Sequence, residues 1–577
     1  MNDKKLYNNP AEIVDDALEG LAKSNKGIKV VKSHRVVVRS DVNQVIQKGL
    51  VTLVSGGGSG HEPAHANYVG EGMLTAAVCG SVFASPPPSN IECALRFAKS
   101  PAGCLVIVKN YTGDRINFGL AVEKLKNEGF KLKMIVVGED CANHSASMTA
   151  TGRRGLAGVV FVHKIAGAMA SRGCTLEEIV DHLKIVCSSL GTVGVSFSAI
   201  SLPGSDKLLF NLDNDVYSLG LGIHGEMGAF KEKMSSARNI VATMFDHMTG
   251  EKNPVRIDIN NSRLAVLINN LGGLSNLELT LFANEVLEYF RNYPEIQIER
   301  IYIGTFMTSL NMNGASITVL KITTNSQLTD LDSKTTANGW KNQDSFGINN
   351  DFELNYKEEE KEYTKEDSTI SKKMENALKE ALQHVIDELI ENEEYLNLLD
   401  SIVGDGDCGS TFKRVLLILK EKLNMNKLRT DSPFALLMQL SELAQKDMGG
   451  TSGGLYSVFF AAAASKINKE CSITTIGESL RAGVEAIQYY GGAKQGDRTM
   501  LDALLPCLEC FKSEVSSKEI SKLIKEKVEE GVNETTHLKA RAGRAAYTDT
   551  VHHNKPDAGA YAVGLWMKSL CNKLLIE

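Results

Sequence analysis

The 577-residue chain predicts an α/β N-terminal part followed by an all-α C-terminal part. Two observations carry this. From about residue 30 to about 320, short β-branched runs alternate with helical segments. Beyond about residue 370, apolar residues recur at three- and four-residue spacing with almost no strand signal. The length exceeds what one hydrophobic core usually supports, so at least two domains are expected.

The strand candidates follow in order: Val36-Val37-Val38, then Leu50 to Val54, Leu105 to Val108, Met134 to Val137 and Leu264 to Ile268. Continuous apolar strands predict sheets buried on both faces. Several end in glycine or a small polar group (Ser55-Gly56-Gly57-Gly58, Lys109-Asn110-Tyr111, Asn269-Asn270-Leu271-Gly272-Gly273), and ligands of open α/β sheets sit at such strand ends. Domain boundaries are placed at 1–330, 331–370 and 371–577. The middle stretch is read as a mobile charged linker because Asn342 to Asn355 has little apolar content and Lys357 to Glu362 is a charge run. Trp340 and Phe346 are its two aromatics, which a docked segment would use. After it Met374, Leu378, Leu382, Val385, Ile386 and Leu389 mark the first amphipathic helix.

Composition excludes several classes. The net charge is −7, with no basic cluster interleaved with aromatics, which argues against nucleic acid as a partner. No apolar run is long enough to span a membrane, and the polar start Met1-Asn2-Asp3-Lys4-Lys5 lacks the apolar core of a secretory signal. Eleven cysteines scattered in apolar segments look like reduced thiols, so a cytoplasmic location is expected. Cys507 and Cys510 are one helical turn apart and are read as packing residues.

The densest chemistry lies at Asp400-Ser401-Ile402-Val403-Gly404-Asp405-Gly406-Asp407-Cys408-Gly409-Ser410-Thr411. A turn brings Asp405 and Asp407 to one point, and Asp400 arrives from the preceding helix. Their mutual repulsion calls for a divalent cation, whereas a plain turn needs one Asp, not three. Gly409, Ser410 and Thr411 precede a helix expected from Phe412 onward, a start that attracts phosphate. Gly450-Thr451-Ser452 and the segment from Gly491 through Arg498 and Thr499 are read as two more phosphate loops, with Asp557 and Gly559 completing the set beside Ala542 to Tyr547.

In the α/β part, Gly56-Gly57-Gly58-Ser59 lets a ligand approach the backbone, and His61 stands where it could act as acid or base. Lys109 and Asp114 offer a cation and a carboxylate to the same crevice. His224, flanked by glycines, has unhindered ring nitrogens suited to a nucleophile or ligand. Gly220, Gly222 and Gly225 satisfy a dinucleotide fingerprint with Asp246 at a suitable distance. That reading is rejected because the residues before it do not form a buried parallel strand and Gly228 interrupts the expected helix.

These motifs resemble the single-chain ATP-dependent dihydroxyacetone kinases, which in animals include triokinase/FMN cyclase. The resemblance spans nearly the whole chain: Gly-Gly-Gly-Ser-Gly-His-Glu-Pro at 56–63, Lys-Asn-Tyr-Thr-Gly-Asp at 109–114, Gly-Ile-His-Gly-Glu at 222–226, Gly-Asp-Gly-Asp-Cys-Gly at 404–409 and Gly-Asp-Arg-Thr-Met-Leu-Asp at 496–502. It implies a ketone-binding N-terminal domain of two α/β subdomains, a C-terminal helix barrel holding ATP and two Mg2+ ions, and a homodimer. It further implies that His224 forms a covalent hemiaminal with the substrate, that His61 is the acid/base, that Lys109 and Asp114 contact substrate hydroxyls, and that Asp400, Asp405 and Asp407 hold magnesium. Ala558 stands where the family usually has proline.

Phosphoryl transfer from ATP to dihydroxyacetone, with glyceraldehyde as a further acceptor, is the expected activity. A FAD-AMP lyase activity with Mn2+ at the same site is the alternative. A binding or regulatory protein on the same folds would be expected to lack an aspartate or the histidine, and all are present.

Overall fold

The computed structural model describes residues 4–142, 152–226, 228–341, 348–349, 351–354, 363, 369–467, 472–512, 516–547 and 555–574. The chain divides into two compact units, Met1–Leu354 and Asn355–Glu577.

The first unit is built on two six-stranded sheets. One contains β1 (Ile28–Val31), β2 (Val36–Arg39), β3 (Thr52–Ser59), β4 (Ala76–Val82), β5 (Cys104–Lys109) and β6 (Leu132–Val137), in the order β1-β2-β4-β3-β5-β6. Strands β4, β3, β5 and β6 are parallel, and β1 and β2 are antiparallel additions at the edge. The period-2 pleat sorts the apolar runs onto both faces. Val54, Val106 and Val108 pack with Ile91 and Phe118 under the helices Pro88–Phe97 and Thr112–Asn127, whereas Leu53, Leu105 and Ile107 face the helix Val159–Ser171. That helix is buried from Val159 through Ala170, which explains its all-round hydrophobicity.

The second sheet contains β7 (Leu190–Ser196), β8 (Val216–Leu219), β9 (Phe230–Lys233), β10 (Arg263–Asn270), β11 (Gln297–Gly304) and β12 (Gly314–Lys321), in the order β11-β10-β12-β7-β8-β9. Only β10 and β11 pair in parallel. Strands β7, β10 and β12 are nonetheless buried on both faces, because Ala265, Leu267 and Leu320 join the core between the sheets while Val266, Ile268 and Val319 pack under the helices Ala237–Thr249 and Asn276–Arg291. Continuous apolar runs therefore signal two-sided burial here, not parallel pairing. The rejected dinucleotide fingerprint lies in the β8–β9 connection, an antiparallel hairpin with no helix after its glycines.

Residues 333–341, placed in the linker by composition, are docked on the first unit. Thr336 N donates to Glu71 O at 3.1 Å and Gly339 N to Asn67 O at 2.9 Å. Trp340 is 4% exposed and packs against Tyr302, Phe161 and Phe306. A tryptophan buries enough apolar area to hold a short polar strap. Phe346 and half of the 331–370 stretch expected to be mobile lie outside the described residues.

Every described element of the second unit is helical. Lys372–Glu391 packs on Cys408–Asn424. That helix meets the π-helical turn Ala444–Met448 joining Pro433–Leu443 to Gly450–Ala464. Contacts continue through Ile473–Gly491, the 3-10 segment Leu505–Lys512, Ser517–Glu534 and Ala558–Leu574, which returns to Lys372–Glu391. The helices thus close into a ring around one apolar core that includes Ile386, Phe412, Phe459, Val484, Leu501, Val528 and Val563. Cys507 and Cys510 are buried free thiols within it, as their helical spacing predicts. Among the described residues no helix is long and apolar enough to cross a membrane.

Candidate active site

Strand β3 runs through the glycines and ends at Ser59, further than its apolar run suggests. The three glycines have different jobs. A Cβ on Gly56 would lie 2.3 Å from Val78 O, and one on Gly58 2.7 Å from Ala84 N, so both glycines allow backbone to pass against backbone. A Cβ on Gly57 would meet only side chains: Lys109 Cε at 3.5 Å, Asp114 Oδ2 at 3.6 Å and His65 Nε2 at 3.8 Å. Gly57 therefore opens onto a polar pocket. Lys109 ends β5 and Asp114 sits in the first turn of the following helix, and both are buried. Among the described residues, Lys109 Nζ, Asp114 Oδ1 and Tyr111 Oη have no hydrogen-bond partner. Buried polar atoms are rarely left unpaired, so three of them on adjacent residues at one strand end mark a place where a ligand supplies the partners. Burial lowers the Lys109 pKa, and the Asp114 carboxylate opposes that shift.

His61 and His224 meet beside this pocket, their Nε2 atoms 3.0 Å apart. His61 Nδ1 lies 2.8 Å from Thr308 O, and His224 Nδ1 lies 2.7 Å from Glu226 Oε1. Both oxygens can only accept, so both Nδ1 atoms carry protons, and two neutral rings would point lone pairs at each other across the Nε2 contact. One additional proton, shared between the two Nε2 atoms, resolves the conflict. Burial, followed by the charges of Lys109 and His224, holds His61 well below the usual histidine range, which disfavours a charged His61 ring. Burial is the largest single influence and raises the Glu226 carboxyl, but the hydrogen bond from His224, its charge and the backbone N–H groups together outweigh it and hold the group down at about 2. Phe83 stacks on His61 at 5.1 Å, and the Tyr111 ring lies 4.7 Å from that of His224, fixing the imidazole planes.

In the helical unit, one carboxylate oxygen each from Asp400, Asp405 and Asp407 lie within 4.8 Å of one another. Asp400 comes from the last turn of the helix Glu393–Ser401, and its Oδ2 accepts from Asp407 N at 3.0 Å. Gly406, with φ +75°, makes the turn. The next helix starts at Cys408, four residues before the expected Phe412, so Gly409, Ser410 and Thr411 form its first turn. Gly409 lets that turn pack on Glu393, where a Cβ would be 2.1 Å from the backbone oxygen. The Ser410 hydroxyl accepts from Asn397 Nδ2 at 2.9 Å, a partner invisible in the motif.

Gly449 and Gly450, at φ +70° and +59°, turn the chain into the helix Gly450–Ala464, with open space where their side chains would be and with Thr451 and Ser452 exposed. This is an anion-accepting helix start. Gly491 differs from the expectation: it ends the helix Ile473–Gly491, where carbonyl groups are exposed, and Gly492 closes that helix in the left-handed conformation. Arg498 is 2% exposed and donates to Thr535 O and Lys555 O, each at 3.1 Å, so it braces the loop before Ala558–Leu574. Thr499 caps the short helix Met500–Leu504 in a capping box with Asp502.

Asp557 holds the first turn of Ala558–Leu574, accepting from Ala560 N at 2.9 Å, and burial pushes its carboxyl up to about 6. Burial and then the charges of Asp400, Asp557 and Asp407 push the Cys408 thiol up to about 12, so Asp557 lies near the start of the helix Cys408–Asn424. Residues 548–554 lie outside the described residues.

Glu226 and Tyr111 were quoted within motifs but given no role by sequence. The spacing of Glu226, two residues after a glycine-flanked histidine, was the available signal. His65 and His163, treated below, carried none.

One unit thus carries a polar pocket with unpartnered buried groups, and the other a cluster of three carboxylates beside anion-accepting helix starts. Sequence comparison agrees: residues 19–339 match the Dak1 domain and residues 402–572 the DAK2 domain. The chain belongs to the dihydroxyacetone kinase family. It is 40% identical over 582 residues to the triokinase/FMN cyclase of Homo sapiens, covering 100% of both chains. It is 34% identical over 585 residues to dihydroxyacetone kinase 2 of Saccharomyces cerevisiae, covering 97% of each. The crystal structure of the C. freundii dihydroxyacetone kinase in complex with AMP-PNP and Mg2+ superposes with a TM-score of 0.75 at 31% identity, covering 99% of each chain.

Proposed function

We propose that the protein phosphorylates dihydroxyacetone with ATP, and glyceraldehyde as a second acceptor, holding the ketone as a hemiaminal on His224. The observation that carries this reading is the His61–His224 contact at 3.0 Å beside the orphaned Lys109 and Asp114. When a carbonyl enters, the shared proton passes to His61. His224 Nε2 then adds its lone pair to the carbonyl carbon while His61 Nε2–H protonates the carbonyl oxygen. The alkylated ring is an imidazolium that keeps its Nδ1–H on Glu226, so charge and protons balance. Gly56, Gly57, Gly58 and Ser59 line the approach and Lys109 holds a hydroxyl. The terminal hydroxyl gives its proton to Asp114 as its oxygen attacks the γ-phosphorus, and the bond from that phosphorus to the β,γ-bridging oxygen breaks to release ADP.

Asp400, Asp405 and Asp407 offer hard oxygen donors close enough together for Mg2+, and their clustering makes little sense unneutralised. Two such ions bound with ATP would offset the charge of the triphosphate. Gly409, Ser410, Thr411, Gly450, Thr451, Ser452, Asp557 and Gly559 are assigned to the nucleotide, with Arg498 and Thr499 bracing the loop that presents Asp557. Gly491 is assigned to ending its helix.

A coupled assay across acceptors tests the reading. Dihydroxyacetone should be phosphorylated and glycerol, which has no carbonyl, should not; equal rates on both would overturn the covalent selection. The name of the human relative supports FAD-AMP lyase activity as a second reaction, tested with FAD and Mn2+ in the absence of a ketone. We further assign the chain to a cytoplasmic homodimer, in keeping with its free thiols and measurable by sedimentation.

Two smaller predictions arise here. Gly57→Ala should fold with a modest loss of stability, since Gly57 has φ +158°, and weaken ketone binding about tenfold or more, because its methyl enters the pocket at ordinary contact distances. Gly56→Ala, against backbone at 2.3 Å, should fail to fold stably. Isothermal titration and thermal melts separate the two. The second concerns pH. The folded Glu226 carboxyl sits at about 2 against 4.5 in an ordinary chain. A depressed acid contributes stability that is complete above the unfolded value and lost as pH falls from 4.5 toward 2. Glu226→Gln should therefore flatten the acid limb of a Tm-against-pH curve, and an unchanged limb would contradict the contact.

A further inference from the structure

A second histidine pair lies beneath the pocket. His65 Nδ1 and His163 Nε2 are 3.0 Å apart, with the rings edge to face at 5.2 Å. His65 is 3% exposed and His163, inside the helix Val159–Ser171, is wholly buried. The remaining nitrogens, His65 Nε2 and His163 Nδ1, have no hydrogen-bond partner among the described residues. Burial keeps both rings neutral, His163 being held at about 3.

A neutral pair shares one N–H across the contact, which leaves two arrangements. If His65 Nδ1 donates, His163 must carry its other proton on Nδ1, leaving an N–H orphaned in an apolar helix interior. If His163 Nε2 donates, His163 Nδ1 is left with only an acceptor lone pair, and the unpaired N–H moves to His65 Nε2 at the Gly57 pocket, where a bound hydroxyl can accept from it. The second arrangement puts the His65 proton on Nε2. The Ser55 hydroxyl does not disturb it, since it donates to Ile107 O at 2.7 Å and lies 3.5 Å from His65 Nδ1. His65 Nε2 is 3.8 Å from the point where a Gly57 side chain would begin, the same point that lies 3.5 Å from Lys109 Cε and 3.6 Å from Asp114 Oδ2.

We propose that His65, locked in its Nε2–H tautomer by His163, is a further substrate-contacting residue: it donates a hydrogen bond to the hydroxyl oxygen that Asp114 deprotonates and that attacks the phosphoryl group. The proposal rests on the reading of the Gly57 pocket given above. A hydroxyl there donates to Asp114 and accepts from Lys109 and His65. As its proton leaves for Asp114, the oxygen gains negative charge between two fixed donors, which is how preorganised hydrogen bonds lower a barrier. A neutral imidazole suits this place better than an imidazolium. It supplies a donor without surrendering a proton to Asp114, so the carboxylate stays available as the base. His163 touches no substrate in this scheme and acts only by fixing the tautomer.

The test uses the full chain with ATP, Mg2+ and dihydroxyacetone labelled with carbon-13 at C2. His65→Ala should lower kcat about 10²-fold, the cost of one donor to a developing oxyanion, while the hemiaminal signal on His224 persists. His65→Gln, whose amide nitrogen reaches near the Nε2 position, should recover at least about tenfold of that loss. His163→Leu should lower kcat with little change in KM. Nitrogen-15 shifts of the wild type should report His65 as the neutral Nε2–H tautomer, a measurement that stands even if His65→Ala folds poorly. An Nδ1–H tautomer, a charged ring, kcat of folded His65→Ala within threefold of wild type, or His65→Gln no better than His65→Ala would each overturn the proposal. Loss of phosphorylation of dihydroxyacetone by the wild type would instead overturn the underlying reading of the pocket, and this proposal with it.

Discussion

Asp405→Asn or Asp407→Asn is expected to lower phosphoryl transfer by about 10³-fold or more while leaving carbonyl capture at His224 within about twofold of wild type. The expectation follows from how the chain is divided. The three carboxylates belong to the unit Asn355–Glu577, and the histidine pair with Lys109 and Asp114 to the unit Met1–Leu354. Each asparagine keeps the shape of the loop and removes one negative charge, so cation affinity falls without a folding defect. Asp400 is the poorer choice of variant, because its Oδ2 also accepts from Asp407 N and its loss would loosen the turn itself. The coupled assay reads the first quantity and titration with dihydroxyacetone the second. If the carboxylate variants lost ketone binding as well, the assignment of the two sites to separate units would be wrong.

The second large effect is expected at His224. His224→Ala should lower kcat/KM for dihydroxyacetone by about 10³-fold or more and remove most of the preference for a ketone over glycerol. The alanine removes the nucleophile and leaves His61 Nε2 without its partner, so the shared proton has no second base. Glu226→Gln should be milder. It keeps an acceptor near Nδ1 but no longer stabilises the imidazolium, so kcat should fall with the pair intact. A His224→Ala enzyme that kept both its rate and its selectivity would show that the histidine only packs against Tyr111 and Phe83.

The sequence made the large divisions legible for physical reasons. Buried strands and amphipathic helices each leave a period, and the α/β-then-all-α order follows from those periods alone. The carboxylate loop was legible because a turn needs one aspartate for its structure, not three. Pairing direction in the second sheet was not, because β7, β10 and β12 are apolar on both faces whether their neighbours run parallel or antiparallel. The docking of 333–341 was hidden by its polar composition, since one residue, Trp340, carries most of its burial. The helix start at Cys408 was misplaced because Asp407, Cys408 and Gly409 are poor helix formers that the fold overrides by packing Gly409 on Glu393. Gly491 looked like part of a phosphate loop because Gly-Gly serves equally well as a helix C-terminus, as it does here with Gly492 at φ +75°. His65 and His163 are 98 residues apart in the chain, and only the packing of the helix Val159–Ser171 against the first sheet brings them together.

The central claim is covalent capture of the ketone by His224, and carbon-13 NMR tests it most directly. With dihydroxyacetone labelled at C2 and no nucleotide present, the wild type should move signal from the carbonyl region to that of a tetrahedral carbon bearing oxygen and nitrogen. His224→Ala should show only the free ketone and its hydrate. A wild-type spectrum without the tetrahedral signal at saturating substrate, or the same signal retained in His224→Ala, would contradict the account.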